Sequence, residues 1–209
     1  LVITRRTLPP HVTHSARSPT FARPSRALLA LGAIVMFSFL CEGAVADWSA
    51  VYLRNVQRAS AGLAATGFAA FALAMAASRL LGDHLTLRRG PVTLVRGGGL
   101  LAAGGVLLAM LAREPALALV GFALVGVGLS TIAPLGFGAA ARTPGVAPGL
   151  GIAAVSTMGY LGFFSGPALI GGLASLTTLR TSLGLLVALS LGVALLARAV
   201  APSSKGAMP

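Results

Sequence analysis

One pattern repeats six times along this chain: an apolar run close to the roughly 20 residues a helix needs to cross a bilayer. The runs cover about 28–47, 61–81, 92–112, 116–138, 149–173 and 180–199. A backbone in hydrocarbon must satisfy its own hydrogen bonds, so each run is either a helix or a strand of a closed barrel. Barrel strands are about half this length and alternate with period two. These runs do not alternate, so the expected fold is an all-α membrane protein with six transmembrane helices. Composition agrees: 10% of the residues are charged and 56% hydrophobic, whereas a soluble domain carries about 25% charged residues. The 27 glycines suit helices that pack closely in lipid. The bundle is expected over 27–200, between a basic Pro/Arg-rich arm at 1–26 and a tail at 201–209.

The net charge is +12, which in a soluble protein would point to nucleic acid. Here the cations lie between apolar runs, with no basic face and no aromatic stacking platform, so no nucleic-acid partner is expected. Their distribution is topological. Arg5, Arg6, Arg17, Arg23, Arg26, Arg79, Arg88, Arg89, Arg96, Arg142, Arg198 and Lys205 fall on one side, and Arg54, Arg58, Arg113 and Arg180 on the other. Twelve against four places both termini in the cytoplasm of a multi-pass protein. Trp48 and Tyr52 then fall at the outer interface, where amphipathic aromatics settle. The arm is too polar to span and too rich in proline for a helix. No small-residue cleavage site follows a short apolar core, so it is no signal peptide; a flexible cytoplasmic arm or linker is expected. The chain begins with Leu, read here as an incomplete or literally translated start.

Catalysis and metal chemistry find no footing. Cys41 is the single cysteine, so neither an intramolecular disulfide nor a cysteine metal cluster is available. His11, His14 and His84 form no metal pattern. Gly97-Gly98-Gly99 and Gly104-Gly105 lack the Gly-Lys-Ser/Thr of a phosphate loop and read as packing faces. No metal, no cofactor and no enzymatic activity are expected.

Three stretches carry functional information. The first holds Glu42 and Asp47, half of the chain's four acids. Five residues apart, they point about 140° from each other and sit about 7.5 Å apart along a helix, so they form no carboxylate pair. Asp47 adjoins Trp48 at the expected boundary, where it reads as an interfacial acid paired with Arg54 or Arg58, or as a break in the helix. Glu42 lies deeper. A charge there costs a few kcal/mol and faces the bundle interior or a water-filled cavity, which makes it a transport or proton-relay candidate; the plainer alternative is a structural hydrogen bond to Ser38. The second stretch, "SRLLGDHLTLRRGP" (78–91), reads as a tight cytoplasmic turn in which Gly82 permits close approach and Asp83 accepts from helix amides or pairs with Arg79. Its plainer reading is an ordinary basic loop. The third, "GYLGFFSGPALIGG" (159–172), sets Gly159, Gly162 and Gly166 on one smooth helical face, and Pro167 invites a kink. Kinks serve rocking bundles; static packing accounts for the same residues.

The second stretch resembles the cytoplasmic signature loop of the major facilitator superfamily, roughly Gly-x-x-x-Asp-Arg-x-Gly-Arg-Arg. Gly82, Asp83, Arg88, Arg89 and Gly90 fit loosely. Arg79 stands where the first Gly belongs, His84 replaces the Arg after the Asp, and two extra residues precede the basic pair. "EGAVADWSAVYL" (42–53), "GVGLSTIAPLGFGAAAR" (126–142) and "STMGYLGFFSGPALIGGLA" (156–174) resemble helices 7, 10 and 11 of a bacterial subgroup, the YbjJ-like inner-membrane proteins. The resemblance covers about residues 25–200. It implies two three-helix repeats forming the C-terminal half of a twelve-helix transporter, with the arm as the remnant of the central loop. It further implies a small-molecule substrate moved by alternating access, proton coupling as symporter or antiporter, and a bacterial inner-membrane location. A separate six-helix half, or self-association, would complete the machine. Glu42 and Asp47, then Tyr160 and Ser156, are the substrate or coupling candidates, and the loop around Arg79, Asp83, Arg88 and Arg89 is a cytoplasmic latch. The competing reading is a half that does not transport alone, whether membrane scaffold or gene remnant.

Overall fold

A computed structural model of the chain describes residues 25–202. The arm up to residue 24 and the tail from 203, including Lys205, lie outside the described residues, as does the side chain of Asp83. The described residues form α1 (Arg26–Asn55), α2 (Ala61–Arg89), α3 (Pro91–Leu111), α4 (Pro115–Leu129), α5 (Ile132–Ala141), α6 (Pro148–Leu176), α7 (Leu179–Ser182) and α8 (Gly184–Leu196), closed by a 3-10 turn at Ala197–Val200. Six stretches are long and apolar enough to cross a membrane: α1, the first three quarters of α2, α3, α4 with α5, α6, and α7 through the 3-10 turn.

Helix starts follow elementary capping chemistry. The Ser25 hydroxyl accepts from the Leu28 amide at 3.2 Å and the Ser60 hydroxyl from the Leu63 amide at 3.3 Å, each satisfying a donor that the helix leaves open. Pro91, Pro115 and Pro148 open α3, α4 and α6, where the missing N–H costs nothing.

Two of the apolar runs fold differently from their sequence outline. The stretch 78–91 is not a loop: α2 stays helical to Arg89, and the whole reversal is made at Gly90, whose φ is 76°. Residues 83–89 contain neither glycine nor proline, whereas Gly90 accepts the left-handed conformation and Pro91 restarts a helix. The fourth run is split at Ser130–Thr131, between α4 and α5. Pro134 has no N–H to return to the carbonyl of Ser130, and the Ser130 hydroxyl donates to the Val127 carbonyl at 2.7 Å.

α1 runs through the middle of the bundle, packing on α6 above all and also on α2, α5 and α8. α3 lies against α4 and α8, and α2 against α4. The α3–α4 seam is built on reciprocal glycines. A methyl on Gly105 would lie 2.7 Å from the Gly121 carbonyl oxygen, and one on Gly121 2.6 Å from that of Gly105. Gly98 and Gly128 oppose each other in the same way. Such contacts let backbones meet where side chains would hold them apart.

Tyr52 corrects the interfacial expectation. It is fully buried, donates its hydroxyl to the Ala109 carbonyl at 2.9 Å, and meets Phe122 edge to face at 6.0 Å. Ala109 lies in the last turn of α3, where carbonyls lack intrahelical donors. Gln57 completes this end by donating to the Ala112 carbonyl at 3.0 Å. The phenol therefore ties α1 to the end of α3, and burial supplies its partner.

Candidate functional site

Four helices converge on a cavity of about 470 Å³. α1 contributes Phe39 and Glu42, α2 contributes Arg79, α5 contributes Pro134 and Phe137, and α6 contributes Tyr160, Phe163 and Phe164. The cavity thus holds one carboxylate and one guanidinium inside an aromatic wall. Glu42 is half-buried and Arg79 exposed, and both line this cavity. Phe39 organises the wall, with Phe137 edge-on at 6.2 Å on one side and Tyr160 at 5.8 Å on the other.

Two prolines shape this region by the same means. Pro134 leaves the Ser130 carbonyl without its helical donor, and the Arg79 Nε donates to that oxygen at 3.4 Å. The break in the fourth span therefore holds the arginine of the second. Pro167 likewise leaves the Phe163 carbonyl without its i+4 donor. That oxygen faces Gly43, next to Glu42, so closely that a methyl on Gly43 would collide with it. The carbonyl of Pro167 itself accepts from the Trp48 indole at 3.0 Å. Freed carbonyls at membrane depth are tolerated where neighbouring helices or a cavity satisfy them.

The smooth face of α6 lies on α1: Gly159 meets Val35 and Phe39, Gly162 the Met36 carbonyl, and Gly166 the Leu40 carbonyl. This close contact sets Tyr160, Phe163 and Phe164 beside Glu42. The remaining candidates are placed elsewhere. Asp47 is exposed and does not line the cavity. Arg54, expected as its partner, donates to the Ala59 carbonyl at 2.8 Å, closing the turn after α1. Ser156 is half-buried one turn before Tyr160 and is absent from the cavity wall. Arg88 and Arg89 are exposed at the end of α2, and Gly82 is buried against Thr131.

Sequence reasoning grouped Arg79 with the basic loop and passed over Pro134, Phe39 and Phe137. The signal for Arg79 was a cation placed before the second apolar run had ended. The signal for Pro134 was a proline in the middle of the fourth run.

No family model matches the chain. The chain is similar to an uncharacterised MFS-type transporter of Yersinia pestis, with 37% identity over 182 residues that cover 87% of this chain and 47% of that protein. An uncharacterised transporter of Sinorhizobium fredii is 37% identical over 168 residues, covering 80% of this chain and 45% of that protein. Membrane protein MosC of Rhizobium meliloti is 32% identical over 167 residues, 41% of its length. The chain spans about half the length of the curated relatives it matches. Among solved structures, a crystal structure of peptide transporter POT in complex with sulfate superposes with a TM-score of 0.73 at 20% identity, over 85% of this chain and 38% of that one; this likeness is one of fold.

Proposed function

The chain belongs to the major facilitator superfamily, and on that premise we propose that it is the C-terminal six-helix half of a twelve-helix secondary transporter. Its relatives are transporters, a non-enzymatic class. The proposed activity is transport of a small molecule by alternating access, coupled to protons. The proposed setting is a bacterial inner membrane with both termini in the cytoplasm, in line with the uneven distribution of arginine. The assignment to YbjJ-like proteins rests on the sequence stretches that resemble them.

The observation that carries this reading is the presence of Glu42 and Arg79 in the wall of one aromatic cavity. An ionisable group at membrane depth is costly unless it faces a cavity or a partner, and Glu42 faces a cavity that Arg79 also lines. A carboxylate that gains and loses a proton beside a fixed guanidinium is a coupling device: its charge decides whether the cation is neutralised or free to bind an anionic group. Tyr160 belongs to the same wall. Asp47 and Ser156 are weaker candidates, since neither reaches the cavity. Around Gly90, Arg88 and Arg89 are proposed to latch the bundle during the transport cycle, with Asp83 from the same helix.

A single half supplies one wall of a translocation path. The candidate spans on α2 and α6 are the least buried of the six, each with 22% of its apolar window covered. These faces support a need for a second six-helix half or a second copy. The experiment is reconstitution of the complete transporter in liposomes, a substrate screen by ligand-induced thermal stabilisation, and flux measured with an internal pH dye. Glu42→Gln is expected to abolish substrate-driven proton movement, a loss of tenfold or more, while the protein stays folded. Unchanged flux and unchanged pH dependence would remove Glu42 from the mechanism. If the 209-residue chain shows no flux in liposomes and gains it only with a second half, the non-transporting reading holds for the isolated half alone.

A further inference from the structure

A second cavity, of about 420 Å³, lies in the cleft between α2 and α3 with α4 behind it. It is separate from the Glu42 cavity and shares no lining residue with it. α2 and α3 are joined at Gly90 but diverge from there, and each packs mainly on α4. The cleft has two unlike ends. At the Gly90 end sit Arg89 and Thr93, a cation and a hydroxyl. Deeper, the walls are mainly Leu81, Leu94, Leu101 and Val127, with Gly97 among them and the hydroxyl residues Ser78, Ser130 and Thr131 also lining the cleft. Leu81 and Leu101 are 60% and 38% exposed, so the chain itself leaves this apolar cleft uncovered.

Its length is informative. Arg89 and Ser78 bound it along α2, and eleven residues of helix rise about 16 Å. Half of a hydrocarbon core of about 30 Å is about 15 Å. Along α3 the lining runs from Thr93, in the first turn of the Pro91–Leu111 span, to Leu101 at that span's midpoint, so the cleft reaches from the membrane boundary to mid-span. Its lining carries one cation and no acid among the described residues. Gly97 and Gly98 divide the work here. A methyl on Gly98 would strike the Gly128 carbonyl, whereas one on Gly97 meets nothing within 4 Å. Gly98 closes the α3–α4 seam, and Gly97 keeps the cleft open.

We propose that this cleft binds an anionic phospholipid of the leaflet on the Gly90 side, with its phosphate on Arg89 and Thr93 and one acyl chain along Leu81, Leu94 and Leu101. Charge selects the headgroup, and length selects a single chain of one leaflet. The lipid would fill the gap that α2 and α3 leave and so brace α2, the helix that carries Arg79.

The test is native mass spectrometry of the full chain in detergent, titrated with dioleoyl phosphatidylglycerol and dioleoyl phosphatidylcholine. Phosphatidylglycerol is expected to bind about fivefold tighter, equivalent to about 1 kcal/mol for one basic residue. Arg89→Gln should bring the two lipids level. Gly97→Leu places a side chain in open space, so it should fold, with unchanged helicity by circular dichroism, and weaken both lipids about tenfold. Equal binding of the two lipids by the unaltered chain overturns the proposal, as does binding that neither variant changes. Glycerol phosphate that binds as tightly without acyl chains would make the cleft a simple anion site and also overturn it. A change of oligomeric mass in Gly97→Leu with lipid retention intact would assign the cleft to a protein neighbour.

Discussion

The α3–α4 seam and the α1–α6 contact are both made by glycines meeting backbone, yet they do opposite things. On the α3–α4 side, Gly98, Gly105, Gly121 and Gly128 oppose one another pairwise, and neither helix carries a proline beyond its first turn or an acid within it. On the α1–α6 side, Gly43, Gly162 and Gly166 bring the helices equally close. There Pro167 interrupts the ladder, Glu42 sits beside the contact, and five aromatic rings line the cavity. Close approach alone yields a fixed joint. Close approach beside a broken ladder and a cavity-facing acid is, on the proposed reading, where binding and movement are coupled. Small residues therefore report proximity, and the prolines and charges beside them distinguish the two contacts.

The largest effect expected from breaking this contrast is the loss of proton movement in Glu42→Gln, with stability nearly unchanged; the seam has no residue with that property. Next comes the seam itself. Gly105→Val puts a branched side chain against the Gly121 carbonyl and is expected to cost about 1–3 kcal/mol or more, read as a lower midpoint of thermal unfolding in detergent. Its neighbour sharpens the point. Gly104 has nothing within 4 Å of a methyl, so Gly104→Ala is expected to gain about 0.5–1 kcal/mol in the same measurement. Equal effects at 104 and 105 would break the claim that contact, and not helix propensity, sets the cost. Tyr52→Phe removes the hydroxyl that serves the Ala109 carbonyl and should cost about 1 kcal/mol, with flux retained. The smallest effect is expected at Asp47, exposed and outside the cavity. Asp47→Asn should stay within about 0.5 kcal/mol and leave the pH dependence of flux unaltered. A flux defect at Asp47 equal to that at Glu42 would show that the cavity wall does not delimit the site.

Much of the fold was legible because bilayer thickness and backbone hydrogen bonding leave few choices for a run of 20 apolar residues. The separation of Glu42 from Asp47 was legible too, since 100° per residue decides faces without any tertiary information. Tyr52 was not. An aromatic hydroxyl near a helix end fits a wet interface as well as a buried carbonyl, and only the neighbouring end of α3 distinguishes them. The stretch 78–91 looked like a loop because glycine, charge and proline cluster there. Its arginines and leucines are good helix formers, and Gly90 with Pro91 suffices for the reversal.

What the sequence determined by itself is what depends on local chemistry: six spans, their approximate limits, an acid inside an apolar run, and glycine spacings that suit close packing. Which partners meet was decided by the tertiary structure. Glu42 and Arg79 are 37 positions apart and lie on different helices. They share a cavity because α1 occupies the centre of the bundle and because Pro134, on a third helix, leaves a carbonyl to hold the guanidinium. Periodicity orients a side chain about its own helix axis, whereas its neighbours across a gap are set by how several helices pack at once.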